Sequence, residues 1–372
     1  MGPPAATFGG LPPSRTMTPE SLAFLKSLLD TPGPSAFEAA PARVWRAEAA
    51  RFADGVRADV AGNSFATLNP DGRPRVMLAG HIDEIGVMVS HIDDDGYVSF
   101  DTIGGWDHQV FVGQRVHLLG RQGPVTGVVG KKAIHLMEKD DREKVSKVED
   151  LWIDVGATSR AEAERQLRIG DPGVLAAGVL EFPNGRLVSR CIDNRIGAFV
   201  VLEALRHLAG GSRAAASVTA VATTREEIAA TGGGARSSAV MLEPDVAIVI
   251  DVTHATDYPG IDKRRHGDYR LGGGPVLSRG ASVSELVFER LAEAALAENI
   301  PYTIEAASRD THTDAEAIFN AHRGVATALV SVPNRYMHSP NEMIALEDLD
   351  RTARLLAAFV RRLAPDTDFV PR

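Results

Sequence analysis

Two adjacent glutamates, Glu226 and Glu227, follow one of the most apolar stretches of the chain, the run SVTAVATT at 217–224. A buried strand seldom ends in a pair of like charges, because neighbouring carboxylates repel each other unless a proton or a cation lies between them. Together with the groups described next, the pair predicts a site in which a metal ion holds one glutamate while the other stays free to move a proton.

Other groups that bind metals also follow apolar runs. His81 and Asp83 follow VMLAG, Asp251 follows DVAIVI, and His338 follows ATALVSVPNRYM. Asp193, in CIDNRIG, stands where a predicted helix begins. Imidazole nitrogens and carboxylate oxygens suit divalent ions such as zinc, and in a two-ion site, with the ions about 3.5–4 Å apart, one carboxylate can bridge them.

Each of these signals also has a structural interpretation. A single histidine after a strand is more often structural, paired glutamates usually lie on the surface, and an aspartate there commonly caps a helix. Their coincidence at one predicted sheet edge favours the metal site. A second His-Ile-Asp run, His91–Asp93, leads into the turn signal DDDGY and is predicted to be structural. Among the remaining histidines, His254 and His312 are expected nearest the site.

The elements that would position these groups alternate between strand and helix. Apolar strand-like runs and helical runs succeed one another from about residue 184 onward, which predicts an α/β fold with a mainly parallel sheet covered by helices on both faces. Ligands of such sheets bind beyond the carboxyl ends of the strands. Short alternating runs between Gly and Asp turns predict a β-rich barrel or sandwich insertion at 89–180. The catalytic domain is then 18–88 with 181–372.

Composition excludes several classes of protein. The 372 residues carry a net charge of −9 without a long basic stretch, which argues against nucleic-acid binding. A single cysteine, Cys191, excludes a disulfide framework and predicts a reducing, cytoplasmic location. The sequence has no run of 18 apolar residues, so no membrane span is predicted. Residues 1–17 lack the pattern of a secretion signal and predict a flexible tail.

A set of short motifs lies along the chain in a specific order: AGHIDEIG, CIDNRIGAF, TTREE, VIDVT with DYPG, GGGP, THTDAEAI and RYMHSPNE. In order and spacing, this set resembles the tetrahedral aminopeptidase family of two-metal exopeptidases, often labelled glutamyl aminopeptidase, deblocking aminopeptidase or cellulase. The similarity runs from about residue 18 to 363. It includes GGWDHQVFVGQRV and KKAIHLM within the insertion.

The resemblance implies a metal ligand set. His81 and Asp251 would hold one divalent ion, Glu227 and His338 would hold the other, and Asp193 would bridge them. The ions would be Zn²⁺, with Co²⁺ or Mn²⁺ as alternatives, because all three suit these ligands.

The resemblance also implies the roles of residues that do not bind metal. Glu226 would be the general base, and Asp83 would orient His81. The candidate substrate-binding residues are Asp314, in the Thr-Asp-Ala motif, and Arg309, in the loop before it. The substrates would be peptides that lose their N-terminal residues to a metal-activated water. The insertion would be a dimerisation domain from which dimers build a dodecamer.

The preferred N-terminal residue depends on charge in the pocket. The stretch IAATGGGA after the glutamates lacks the arginine that is usual in the family, which leaves Arg225, Arg309 and Arg335 as candidate cations. An acidic substrate side chain would need such a partner, whereas an apolar pocket needs none. The sequence therefore predicts a broad aminopeptidase that prefers neutral apolar residues such as leucine.

Other functions remain open. A two-metal deacylase or carboxypeptidase would share the ligands but need a cationic pocket for a substrate carboxylate. A glycosidase needs two carboxylates flanking a sugar, and aromatic residues make up only 6% of the chain. A non-enzymatic assembly protein with structural zinc would favour four Cys or His ligands, which these motifs do not supply.

Overall fold

The computed structural model describes residues 17–211, 214–229 and 232–372. Residues 1–16 of the predicted flexible tail lie outside these ranges, so the tail stays a prediction. The α-helices of the described part are α1 (Pro19–Asp30), α2 (Ala39–Ala49), α3 (Arg160–Glu164), α4 (Ile192–Ala209), α5 (Gly233–Leu242), α6 (Lys263–His266), α7 (Glu285–Ala297), α8 (Asp314–Phe319) and α9 (Leu346–Arg361). Short 3₁₀ helices span His108–Val110, Ile134–Leu136, Lys139–Asp141 and Val148–Asp150.

The largest sheet has eight strands within the described ranges, in the order β1-β2-β12-β3-β13-β16-β14-β15. Its strands are β1 (Gly55–Ala58), β2 (Ser64–Leu68), β3 (Arg75–His81), β12 (Ser217–Thr223), β13 (Val246–His254), β14 (Val276–Gly280), β15 (Thr303–Ala307) and β16 (Ala326–Asn334). The central strands β12, β3, β13 and β16 are all parallel. Their carboxyl ends therefore meet at one edge, where His81 pairs in register with Thr223.

Side chains of the central strands alternate between two apolar layers. On β3, Val76 and Leu78 join the large core beneath α1, α4, α7 and α9. Met77 and Ala79 face the opposite way, into a smaller core with α5 and α8. This two-sided burial follows from the period-two geometry of a strand and explains why these runs are almost continuously apolar. The predicted fold, a mainly parallel sheet covered on both faces, is confirmed.

The insertion is a closed antiparallel barrel in the order β4-β5-β8-β7-β6-β9. Its core contains Phe100, Phe111 and Leu118. The first barrel strand already begins at Gly86, before the boundary predicted at 89, and the division into domains stays a prediction. The barrel strands are β4 (Gly86–Ile92), β5 (Val98–Ile103), β6 (Arg115–Gly120), β7 (Gly123–Gly130), β8 (Trp152–Asp154) and β9 (Pro172–Leu175).

Some elements differ from expectation. The sequence 36–56 (AFEAAPARVWRAEAARFADGV) predicts a helix over most of its length, but α2 ends at Ala49, because the chain then turns and Gly55 begins an edge strand that pairs with β2. A small antiparallel sheet next to α9 was not predicted, and it consists of β10 (Leu180–Phe182), β11 (Arg186–Ser189) and β17 (Glu342–Ala345). Across the described ranges, none of the helices has the length and apolar character needed to cross a membrane.

Candidate metal centre

The carboxyl edge of the four central strands collects the predicted site residues. His81 is the last residue of β3, and Asp251 lies near the end of β13. Glu226 and Glu227 follow β12, and His338 follows β16. Asp193 reaches the same edge from the first turn of α4, where it has the non-helical angles φ −74° and ψ 108°.

Asp193 stands between two groups of potential ligands. The first group is His81, Asp193 and Asp251, and the second is Asp193, Glu227 and His338. Asp193 Oδ1 lies 3.3 Å from His81 Nε2, and Asp193 Oδ2 lies 3.3 Å from His338 Nε2. His81 Nε2 is 4.0 Å from Asp251 Oδ1, and His338 Nε2 is 3.4 Å from Glu227 Oε2. One carboxylate thus presents one oxygen to each group.

These spacings fit metal ions better than direct hydrogen bonds. Two ligand atoms that each lie ~2.1 Å from a tetrahedral metal are ~3.4 Å apart, whereas N–H···O bonds cluster near ~2.9 Å. Within the described residues, the buried atom Glu227 Oε1 has no hydrogen-bond partner. A donor set of two imidazoles and three carboxylates suits Zn²⁺, Co²⁺ or Mn²⁺. The residues present therefore fit a pair of divalent ions.

The pKa values of the cluster also indicate a site that favours bound cations. Burial, reinforced by Asp193, raises the pKa of Asp251 to about 8. Burial also raises the pKa of Glu227 well above its usual value. Burial lowers the pKa of His81, but the surrounding carboxylates, first Glu226, outweigh it and raise that pKa well above its usual value. Such an environment favours positive charge among the carboxylates, whether a proton or a cation.

Glu226 belongs to neither ligand group. It lines the cavity in front of the cluster, and its Oε2 atom is 3.7 Å from His81 Nε2. Burial raises the pKa of Glu226 to about 9; His81 opposes this rise, and Asp251 adds to it. The structure thus separates the two neighbouring glutamates, one within a ligand group and one facing the cavity.

Asp83 connects the histidine to the glutamate pair. Its Oδ1 atom lies 3.5 Å from His81 Nδ1 and accepts a hydrogen bond from the backbone N–H of Glu226 at 3.2 Å. Its Oδ2 atom accepts from the backbone N–H of Glu227 at 3.2 Å and from the hydroxyl of Ser35 at 2.6 Å. This fully buried carboxylate therefore fixes the loop after β12 relative to the end of β3.

Two residues outside the predicted set also support the site. Glu342 accepts backbone hydrogen bonds from both Asp193 and His338. The only sequence signal for it was its place at the end of the motif RYMHSPNE. Gly105, in the insertion, makes a backbone hydrogen bond to the ring of His338. Burial lowers the pKa of His338, but Asp193 and, to a smaller extent, this bond outweigh burial and raise that pKa.

The cavity in front of the cluster has a volume of about 1240 Å³. Arg309 lines it from an exposed loop, together with His254 and His312, the two histidines expected nearest the site. Asp314 is not among the described residues that line the cavity. It is buried at the start of α8, where it accepts a hydrogen bond from Thr223 at 2.6 Å.

The other candidate cations and the second His-Ile-Asp run lie elsewhere. Arg225 donates to the carbonyl of Ala61 at 2.8 Å, and Arg335 pairs with Asp257 at 2.8 Å. The run His91–Asp93 lies at the end of a barrel strand, where Asp93 accepts the backbone hydrogen bonds of a turn, as expected.

The fold and the site define an α/β protein with a candidate metal centre at the carboxyl edge of a parallel sheet. The sequence profile of the M42 glutamyl aminopeptidase family matches residues 62–355, and the chain belongs to this family. The chain is 34% identical over 351 residues to lysyl aminopeptidase of Pyrococcus furiosus, covering 93% of this chain and 98% of that protein. The family predicted from the motifs, whose members include such aminopeptidases, is confirmed.

Solved structures support the same assignment. A TET aminopeptidase from the marine sediment archaeon Thaumarchaeota archaeon SCGC AB-539-E09 superposes with a TM-score of 0.88 at 34% identity, covering 92% of this chain and 96% of that chain. The dodecamer PhTET1-12s superposes with a TM-score of 0.81 at 28% identity, covering 93% of this chain and 100% of that chain.

Proposed function

We propose that this chain is a metal-dependent aminopeptidase that removes N-terminal residues from peptides. The observation that carries the proposal is the position of Asp193, whose two oxygens each lie 3.3 Å from a different histidine. A carboxylate placed in this way can bridge two adjacent divalent ions. His81 and Asp251 would hold one ion, and Glu227 and His338 the other. Zn²⁺ is the proposed metal, with Co²⁺ and Mn²⁺ as alternatives.

The protein groups have distinct tasks in this reaction. When bound, a pair of divalent ions supplies an activated water and a polarised peptide carbonyl. Glu226 would accept the proton of the attacking water and return it to the leaving amine, because it faces the cavity and is free of both ligand groups. Asp83 would hold the His81 ring in orientation and keep the Glu226 backbone in place.

Substrate recognition belongs to the cavity wall. Arg309 would contact the peptide from its exposed loop. Asp314, at the start of α8, would support the cavity wall without touching the peptide. The predicted broad preference for neutral apolar residues stays a prediction. The names of the relatives do not decide it, since one is a lysyl aminopeptidase and the family is described as glutamyl.

We further propose that subunits self-associate through the barrel into dimers and a dodecamer. The similar protein PhTET1-12s is a dodecamer. On this chain the barrel carries exposed apolar side chains at Ile134, Leu136 and Val145, with 58%, 68% and 59% of their surface accessible. These residues lie in the connection between β7 and β8, and exposed apolar surface commonly marks protein interfaces.

The experiment that tests the function is release of p-nitroaniline from a panel of aminoacyl p-nitroanilides. We expect activity with a free α-amine, loss of that activity on dialysis against a chelator, and recovery on addition of Zn²⁺, Co²⁺ or Mn²⁺. N-acetylated amino acids and peptides with a free C-terminus serve as substrates for the deacylase and carboxypeptidase alternatives. Activity confined to those substrates, or activity that survives removal of all metal, would contradict the proposal.

A further inference from the structure

Glu305 is an acidic residue of the cavity wall for which the proposed reaction has no use. It lies on β15 and lines the same cavity as His81 and Asp251. Its Oε1 atom accepts a hydrogen bond from the Thr253 hydroxyl at 3.1 Å, and its Oε2 atom accepts one from the Ser278 hydroxyl at 3.4 Å. Each carboxylate oxygen has two lone-pair positions, so the group can still accept hydrogen bonds from a ligand.

The charge of Glu305 is not balanced by the protein. In the described ranges, both of its hydrogen-bond partners are neutral hydroxyls, and no ion pair joins it to a lysine or an arginine. The side chain is half-buried on a strand, which holds it more rigidly than a loop would. Arg309 lines the same cavity but stands on an exposed loop, outside ion-pair distance of Glu305. A half-buried carboxylate of this kind favours a cationic ligand.

Thr253, the hydrogen-bond partner of Glu305, indicates how far this carboxylate lies from the metal centre. Thr253 follows Asp251 by two residues on β13, so both project from the same face about 6.6 Å apart. Two strands lie between β13 and β15 in the sheet, yet the Thr253 hydroxyl touches Glu305, so the sheet curls over the carboxyl end of β13. The four-carbon stem of lysine can span this gap. Leu329 and Met337 also line the cavity and offer apolar surface to the stem.

Building on the proposed aminopeptidase function, we propose that Glu305 is a specificity carboxylate that binds the cationic side chain of an N-terminal lysine or arginine. The scissile bond lies at the carboxyl edge of the sheet, the stem crosses the cavity, and the cation pairs with Glu305 beside the two hydroxyls. A leucine side chain packs on the same apolar wall, so the subsite adds cationic residues to a broad specificity. An N-terminal glutamate meets a like charge and is disfavoured.

The test compares lysine with norleucine, which has the same unbranched stem but no charge. We would measure kcat/KM for lysyl-, norleucyl-, leucyl- and glutamyl-p-nitroanilide on the metal-loaded wild type and on Glu305→Gln. In the wild type, lysyl kcat/KM exceeds norleucyl kcat/KM. In the variant, the ratio of lysyl to norleucyl kcat/KM falls about tenfold, while the leucyl value stays within about twofold.

Asp310→Asn is the matched control. Asp310 lines the same cavity, but its Oδ1 atom lies 3.5 Å from His312 Nε2. This substitution leaves the ratio of lysyl to norleucyl kcat/KM unchanged. A wild type that favours norleucine, or a Glu305→Gln variant with an unchanged ratio, overturns the subsite. A wild type that favours the glutamyl substrate also overturns it and indicates Arg309 as the governing charge. Failure to cleave any of the four substrates contradicts the aminopeptidase function instead.

Discussion

Glu342 accepts a hydrogen bond from the backbone N–H of Asp193 at 2.9 Å, across 149 residues of sequence. Its second carboxylate oxygen accepts one from the backbone N–H of His338 at 2.8 Å. Glu342 is buried and belongs to neither ligand group. One carboxylate thus joins the two chain segments whose side chains form one group of candidate metal ligands.

These two hydrogen bonds lead to a prediction for Glu342→Gln. An amide has one acceptor oxygen, so its NH₂ group would face a backbone N–H of either Asp193 or His338. We expect the affinity for Zn²⁺ to fall by about 10–100-fold at one of two sites, as for other residues that orient metal ligands. Calorimetric titration of metal into the stripped protein measures this. The control is Glu347→Gln, a partly exposed residue of α9 that pairs with Arg351. Unchanged affinity at both sites would mean that Glu342 has only a folding role.

The neighbouring glutamates should respond differently to removal of charge. Glu226→Gln is expected to keep both ions but to lose turnover by about 10²–10⁴-fold, because this residue would move a proton and bind no metal. Glu227→Gln is expected to lose an ion, because it stands in a ligand group with His338. Metal content measured by mass spectrometry distinguishes the two. Loss of metal in the first variant and retention in the second would reverse the roles.

The exposed apolar surface of the barrel should matter for assembly. Leu136→Asp places a charge where 68% of the leucine surface is accessible, and we expect it to yield a smaller species in light scattering. Leu296→Asp is a matched control, since that leucine is also 68% accessible but lies on α7. The assembly proposal does not survive if the wild type is a monomer or if the two variants have equal mass.

A buried arginine should dominate the stability of the region beneath the site. Arg195 donates to the carbonyls of Ile82 at 2.8 Å and Leu28 at 2.7 Å, and to Glu84 at 2.8 Å. Arg195→Met removes this donor from the two buried carbonyls and leaves Glu84 with Arg190 as its remaining cationic partner, so we expect the free energy of unfolding to fall by about 3–5 kcal/mol. Urea denaturation measures the loss. Arg270→Met, at an exposed ion pair with Asp268, is the control and should leave the free energy of unfolding almost unchanged. Equal losses would refute the argument.

Much of the site was predictable from local signals. His81, Asp251 and the two glutamates each follow an apolar run, and parallel strands bring the ends of such runs to a common edge. The strand order did not have to be known to predict the site, because any sheet of neighbouring parallel strands brings their carboxyl ends to one edge. The barrel was likewise visible in its short alternating strands separated by turns.

The remainder depends on contacts that carry no local signature. Glu342 accepts hydrogen bonds from backbone N–H groups of distant segments, and such bonds cannot be predicted from the residue types. Asp193 was predicted to be a candidate ligand, but the non-helical backbone that aims its carboxylate between the histidines has no local sequence signal. Glu305 reaches the cavity only because the sheet curls, and curvature of this kind arises from the packing of the whole sheet.

The corner of the barrel at Gly104 and Gly105 links the insertion to the chemistry of the sheet. Gly104 has φ +76°, and a Cβ atom there would lie 2.5 Å from Ile85 Cγ2. A Cβ atom on Gly105 would lie 3.5 Å from the His338 ring, which already bonds the Gly105 backbone. The barrel is therefore no interchangeable module. A chimera carrying a barrel from a relative would need to keep this corner.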